Sequence, residues 1–110
     1  MEIREERRDA VLIVAPAGRV DSNTSSTFEA SVLGHAKEPR LLVDLSGVEY
    51  ISSAGLRVFL MLARRVKEAG GRLVICGMGA SVRQVFDLAG FTALFAVEPS
   101  LEQGVARLFA

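Results

Sequence analysis

The sequence predicts an α/β domain with a mostly parallel or mixed sheet, and three observations lead there. Short runs rich in Val, Ile and Leu, such as Val11-Leu12-Ile13-Val14 and Leu73-Val74-Ile75-Cys76, suit strands buried on both faces. Between such runs lie segments of about 10 to 17 residues with apolar positions at helical spacing. The chain has 110 residues, enough for one core and too few for two, so residues 1–110 form a single domain. Strands alternating with helices in one domain imply crossovers, because a parallel neighbour is reached only through one.

Taken in order, residues 2–6 form a weak charged strand and residues 11–17 a strong apolar one, joined by a turn at Arg7-Arg8-Asp9-Ala10. Gly18 breaks the pattern, and Asp21-Ser22-Asn23-Thr24-Ser25-Ser26 offers side-chain oxygens to the free N–H groups of a helix start. Phe28, Val32 and His35 or Ala36 give that helix its apolar stripe, and Pro39 ends it. Residues 40–45 are the next strand. After Ser46-Gly47 and residues 48–51, a long helix runs from about Ser53 to Ala69, with Leu56, Phe59, Leu60, Ala63 and Val66 inward. Gly70-Gly71 stops it, and Arg72 to Cys76 is a further buried strand. Val82, Val85, Phe86 and Ala89 mark a third helix closed by Gly90. Residues 91–97 contain a last strand, and Ser100 followed by Gln103 caps a terminal helix with Leu101, Val105 and Leu108 inward.

Composition removes several classes of function. Thirteen basic and thirteen acidic residues cancel, leaving no electrostatic footprint for nucleic acid or for an anionic membrane. No apolar run approaches the roughly 20 residues of a membrane span. The N-terminus is charged from its second residue, without a signal-peptide core, so a cytoplasmic protein is expected. The single cysteine, Cys76, excludes an internal disulfide and sits in an apolar run as a small buried hydrophobe.

Catalytic motifs fail in turn. Ser53 stands two residues before Gly55, but Ile51 occupies the first glycine position of a G-x-S-x-G elbow, and His35 is the only imidazole. Gly77-Met78-Gly79 opens like a dinucleotide-binding turn, yet Val82 fills the third glycine position and no lysine follows to make a phosphate-binding loop. No spacing of His, Cys, Asp and Glu suggests a metal, and no cofactor is expected. Asp21, Asp44 and Asp87 are dispersed and are expected to cap or to face solvent. What remains is a pair of hydroxyls at the positive end of the longest helix. Ser52 suits the N-cap, its oxygen accepting from an N–H two or three residues on, and Ser53 then opens the helix and points outward.

The run Leu42-Val43-Asp44-Leu45-Ser46-Gly47-Val48-Glu49-Tyr50-Ile51-Ser52-Ser53-Ala54-Gly55-Leu56 resembles the signature of STAS domains, in particular bacterial anti-sigma factor antagonists. Gly18-Arg19-Val20-Asp21 and the segments 70–76 and 82–91 extend the resemblance over nearly the whole chain. It implies a STAS fold, an α/β arrangement with a four- or five-stranded mixed sheet flanked by about four helices mainly on one face. It implies a regulator that is not an enzyme. The unmodified form would bind an anti-sigma factor that is also a serine kinase of the histidine-kinase-like ATPase type, and a PP2C-type phosphatase would reverse the modification.

The phosphorylated residue of that family corresponds to Ser53, with Ser52 as the alternative, since many members carry Asp where this chain has Ser52. The partner-binding surface would comprise Asp21, Ser22, Asn23, Thr24 and Ser25 together with Ser52, Ser53, Ala54, Gly55, Leu56 and Arg57. Within the same fold, a scaffold or regulatory subunit that does not switch, as in a stressosome-like assembly or beside a lipid-transport ATPase, is the alternative reading.

Overall fold

The computed structural model describes residues 1–110. The chain opens with a hairpin. Strand β1 (Glu2–Arg8) pairs antiparallel with β2 (Val11–Val20), Arg8 lying opposite Val11. The two residues between them, Asp9 and Ala10, have φ of 50° and 65°, the left-handed pair that a two-residue hairpin turn requires. β2 continues past Gly18, which the sequence pattern had marked as a break. Gly18 adopts φ 98° at a register shift between Gly18 and Arg19, so the glycine bends the strand without ending it.

Helix α1 (Ser25–Leu33) crosses to β3 (Arg40–Asp44), which lies parallel to β2 with Leu12 opposite Leu41. Strand β4 (Gly47–Ile51) follows after a tight turn and also pairs parallel with β2, further along it, with Val20 opposite Ile51. Helix α2 (Ser53–Glu68) leads to β5 (Arg72–Cys76), parallel to β3. Then come α3 (Ala80–Leu88), the short α4 (Phe91–Leu94), β6 (Ala96–Glu98) parallel to β5, and α5 (Leu101–Arg107). The sheet order is β1-β2-β3-β5-β6, with β4 beside β2.

The sheet is therefore mixed, as expected, but it has six strands where four or five were expected. The additional strand is β4, whose residues sit between two stronger signals and show only Val48 and Ile51 inward. The final strand is shorter than residues 91–97, because Phe91 to Leu94 coil into α4 and only Ala96 to Glu98 pair.

Alternation along the strands divides the interior in two. Leu12, Val14, Leu41, Val43 and Ile75 face α1 to α4, while Val11, Ile13, Leu42, Val74 and Cys76 face α5. The larger half centres on phenylalanine. Phe59 of α2 packs at 5.3 Å from Phe28 of α1 and 5.5 Å from Phe86 of α3, and Phe86 lies edge-on to Phe91 at 5.8 Å. On the other face Arg40 and Arg72 donate to the Leu108 carbonyl at 3.2 and 3.1 Å, placing cations at the C-terminal end of α5.

Two expected inward positions are corrected. His35 is not helical: α1 stops at Leu33, and the N–H groups of His35 and Ala36 reach back only three residues, to Val32 and Leu33, in a tightened turn. In α2 the buried stripe is Gly55, Val58, Phe59, Leu62 and Val66, whereas Leu60 is 42% exposed. The helix is rotated toward Gly55 because a residue without a side chain lets the backbone come closest to the sheet there.

Candidate functional site

The site grows from one register. Strands β2 and β4 run parallel and finish level, Val20 beside Ile51. β2 leads through the four-residue loop 21–24 into α1, and β4 leads through Ser52 into α2, so the loop from Asp21 and the first turn of α2 emerge side by side at the same edge of the sheet. The join is tied by the backbone, since the Ser52 N–H donates to the Val20 carbonyl at 2.8 Å.

Gly55 makes this closeness possible. A Cβ placed on it would lie 2.7 Å from Cγ1 of Val20, 2.8 Å from Cγ1 of Ile51 and 3.2 Å from the Val20 carbonyl oxygen. Gly55 is buried. It shapes the surface from beneath and does not present a side chain to it.

Ser52 keeps an extended backbone (φ −96°, ψ 174°), and its Oγ accepts from the Gly55 N–H at 3.4 Å. It is the N-cap the sequence predicts. Ser53 is the first helical residue and is exposed, as is Arg57 one turn on, while Ala54 and Leu56 are half-buried. A hydroxyl on the first turn of a 16-residue helix stands in the positive potential of free N–H groups.

The neighbouring loop is tied by its own hydrogen bonds. Asp21 Oδ1 accepts from the Asn23 N–H at 2.9 Å, and the Asp21 carbonyl accepts from the N–H groups of Thr24 and Ser25 at 3.1 and 2.8 Å. Thr24 Oγ1 donates to the Arg19 carbonyl at 2.7 Å and accepts from the Asp21 N–H at 2.9 Å, so this hydroxyl holds the loop together. The Asn23 N–H, with help from Arg19 and Thr24, keeps the Asp21 carboxyl below the usual carboxylate range. Ser22 and Asn23 are exposed, and Ser25 opens α1 half-buried.

Sequence reasoning missed Arg19 and Tyr50. They sit opposite each other in the β2–β4 register, with the Arg19 guanidinium 4.4 Å from the centre of the Tyr50 ring, and Arg19 Nε donates to Asp21 Oδ2 at 3.4 Å. Their exposure on adjacent strands beside Asp21 and Ser52 makes them part of the same surface. β4 offered no regular signal for them: its inward residues Val48 and Ile51 are three apart, because the register shift beside Gly18 leaves Glu49 without an opposite residue.

Other candidates lie elsewhere. His35 Nε2 is 2.8 Å from Glu5 Oε2 on β1, away from either serine's strand end. Asp44 Oδ1 accepts from the Ser46 N–H at 3.0 Å, a turn-closing role, and Asp87 is held below its ordinary pKa by Thr92 and Arg83. Cys76 is fully buried; burial first, and the Asp44 carboxylate second, push its thiol up to about 12. A thiol so held is packing material and not a nucleophile.

Comparison with known proteins agrees with this geometry. The STAS domain family profile matches residues 2–104. BtrV of Bordetella bronchiseptica, which carries the name of an anti-sigma factor antagonist, is 36% identical over 108 residues, covering 96% of this chain and 93% of BtrV. An anti-sigma factor antagonist from Mycobacterium paratuberculosis superposes with a TM-score of 0.92 at 23% identity, covering 99% and 94% of the two chains. SpoIIAA in its unphosphorylated form gives a TM-score of 0.80 at 15% identity over 98% of this chain and 96% of its own. With its sequence matched from β1 to α5 and its fold shared end to end, the chain belongs to the STAS domain family, in the branch of the anti-sigma factor antagonists.

Proposed function

We propose that this protein is an anti-sigma factor antagonist controlled by phosphorylation of Ser53. Unmodified, it binds a cytoplasmic anti-sigma factor that is also a serine kinase of the histidine-kinase-like ATPase type, and so frees a sigma factor. Phosphorylated, it releases that partner until a PP2C-type phosphatase restores the hydroxyl. On this reading the chain is a substrate of enzymes and not an enzyme.

The observation that carries the proposal is the division between two adjacent serines. Ser52 Oγ is engaged as the cap, while Ser53 is exposed on the first turn of α2 beside the Asp21 loop. Phosphate on Ser53 adds about −1.5 to −2 charges at pH 7. At a helix N-terminus an anion gains roughly 0.3–1 kcal/mol, so the fold tolerates it. A partner closing over it must desolvate it, which costs several kcal/mol without a matching cation. Since each 1.4 kcal/mol is about a factor of ten, about 3–4 kcal/mol converts tight binding to release. The contact surface on this side comprises the exposed parts of residues 21–25 and 52–57, with Arg19 and Tyr50 added.

The test is phosphopeptide mapping after incubation with the cognate kinase and ATP, combined with partner pull-down. The label is expected on Ser53. Ser53→Ala should bind and resist labelling, and Ser53→Glu should lose the partner. Label confined to Ser52 would move the acceptor by one residue, and a Ser53→Glu variant that binds like wild type would remove the switch from this position.

A further inference from the structure

Strand β1 is paired on one side only, to β2, and is the longest free edge of the sheet, with seven residues against five in β4 and three in β6. Its outer N–H and C=O groups are a template for another strand. Charge on an edge normally blocks such pairing, but here the order of signs does the opposite.

The two faces of β1 are distinct. Ile3 packs into the core under α1 to α4, and on that face Glu5 meets His35 and Arg7 meets Glu38, at 2.8 and 2.6 Å. Glu2, Arg4, Glu6 and Arg8 alternate with them and therefore face the α5 side, where Arg8 pairs with Glu6 of its own strand at 2.9 Å, a contact that a dimer through this edge would exchange for pairs across its axis, and Arg4 and Glu6 border a cavity with Ile13, Ala15 and Leu101.

We infer that β1 is a dimerisation edge that pairs antiparallel with β1 of a second copy, centred on Glu5. A two-fold axis perpendicular to the sheet keeps each residue on its own face, so opposed residues must have numbers of equal parity. Centred on Glu5, Glu2 meets the partner's Arg8 and Arg4 meets the partner's Glu6, and symmetry repeats both, giving four opposed pairs of unlike sign. A shift of two residues either way reverses this. In one case Glu2 faces the partner's Glu6 and Arg4 faces its own copy; in the other Arg4 faces the partner's Arg8 and Glu6 faces its own copy. Among registers that pair five or more of the seven residues, one alone is free of like charges on this face.

On the opposite face the two Glu5 carboxylates meet across the axis, the one like-charged pair in this register, each with its own His35 Nε2 at 2.8 Å, and the stem of Arg7 covers the partner's Ile3. The ladder hydrogen bonds hold the dimer, and the charges select its register. An interface of one strand per copy falls below about 1,200 Å² in total, so the dimer is concentration-dependent and weakens with salt.

The experiment is sedimentation of the full chain from micromolar to millimolar concentration. Wild type should dimerise. Arg4→Glu alone and Glu6→Arg alone each create two like-charged pairs and should weaken the dimer about tenfold or more. Mixing the two single variants restores every opposed pair, so a heterodimer should form, and the double variant Arg4→Glu/Glu6→Arg should dimerise again by itself. Circular dichroism checks that each variant is folded. A wild type that stays monomeric throughout overturns the inference, as does a dimer indifferent to the single changes or single variants that do not recover on mixing. None of these readouts depends on phosphorylation of Ser53.

Discussion

Two serines one residue apart have different work because one side of a helix start is closed and the other open. The Ser52 oxygen replaces water on an N–H that the helix itself cannot satisfy. The bond is long at 3.4 Å, which puts its worth at the low end for a cap. Ser52→Ala should lower stability by about 0.5–1 kcal/mol. Ser53→Ala, an exposed change at the first helical position, should stay within about 0.5 kcal/mol of wild type. Urea denaturation of the two variants decides this, and a larger loss at Ser53 would reverse the roles given to them. At this scale the sequence was a good guide, because capping depends on neighbours in the chain. It gave less for Arg19 and Tyr50, which meet only through the pairing of β2 with β4.

Elements show where local reading fails and why. In α2, scoring apolar side chains selects Leu56, Leu60 and Ala63, yet the helix turns its Gly55 side to the sheet and leaves Leu60 outside. Glycine counts as nothing in a hydrophobic stripe, although its lack of a side chain decides how the stripe is oriented. Gly55→Ala tests this. Its Cβ would meet Val20 and Ile51 side chains below 3.0 Å and the Val20 backbone at 3.2 Å, and backbone in a paired strand does not move aside. Any gain in helix propensity from alanine is outweighed by overpacking, so a net loss of about 1–3 kcal/mol is expected in thermal or urea melts. The same change should weaken partner binding more than that of Ser52→Ala, because it displaces the whole first turn. Strand β4 was invisible for a related reason: five residues with two inward side chains carry little pattern until β2 is beside them.

Across the molecule, strand alternation around buried runs made the α/β class and the mixed sheet legible, while the strand count depended on a pairing that no local window contains. The same alternation delivers Cys76 to the α5 face, closed in by Leu42, Val74 and Leu108. Its thiol titrates near 8.5 in an unfolded chain, but burial and Asp44 raise it to about 12 in the fold. The folded state therefore holds this proton more tightly, and the stabilisation is complete below the unfolded value and lost as pH rises toward the folded one. Between about pH 9 and pH 12 this group alone should lower unfolding free energy by up to about 1.4 kcal/mol per pH unit. At the acid end the sign is opposite. Asp21, Glu38 and Asp87 are depressed by hydrogen bonds from Asn23, Arg7 and Thr92 respectively, so their contributions are present above the ordinary carboxylate range and fade as pH falls through the folded values. Urea midpoints followed with pH should thus show a plateau near neutrality with a steep alkaline limb. Cys76→Ala lowers the plateau by the volume it removes, and it should also flatten that limb, since no thiol remains to ionise. An alkaline limb unchanged in slope by Cys76→Ala would assign the loss to other groups.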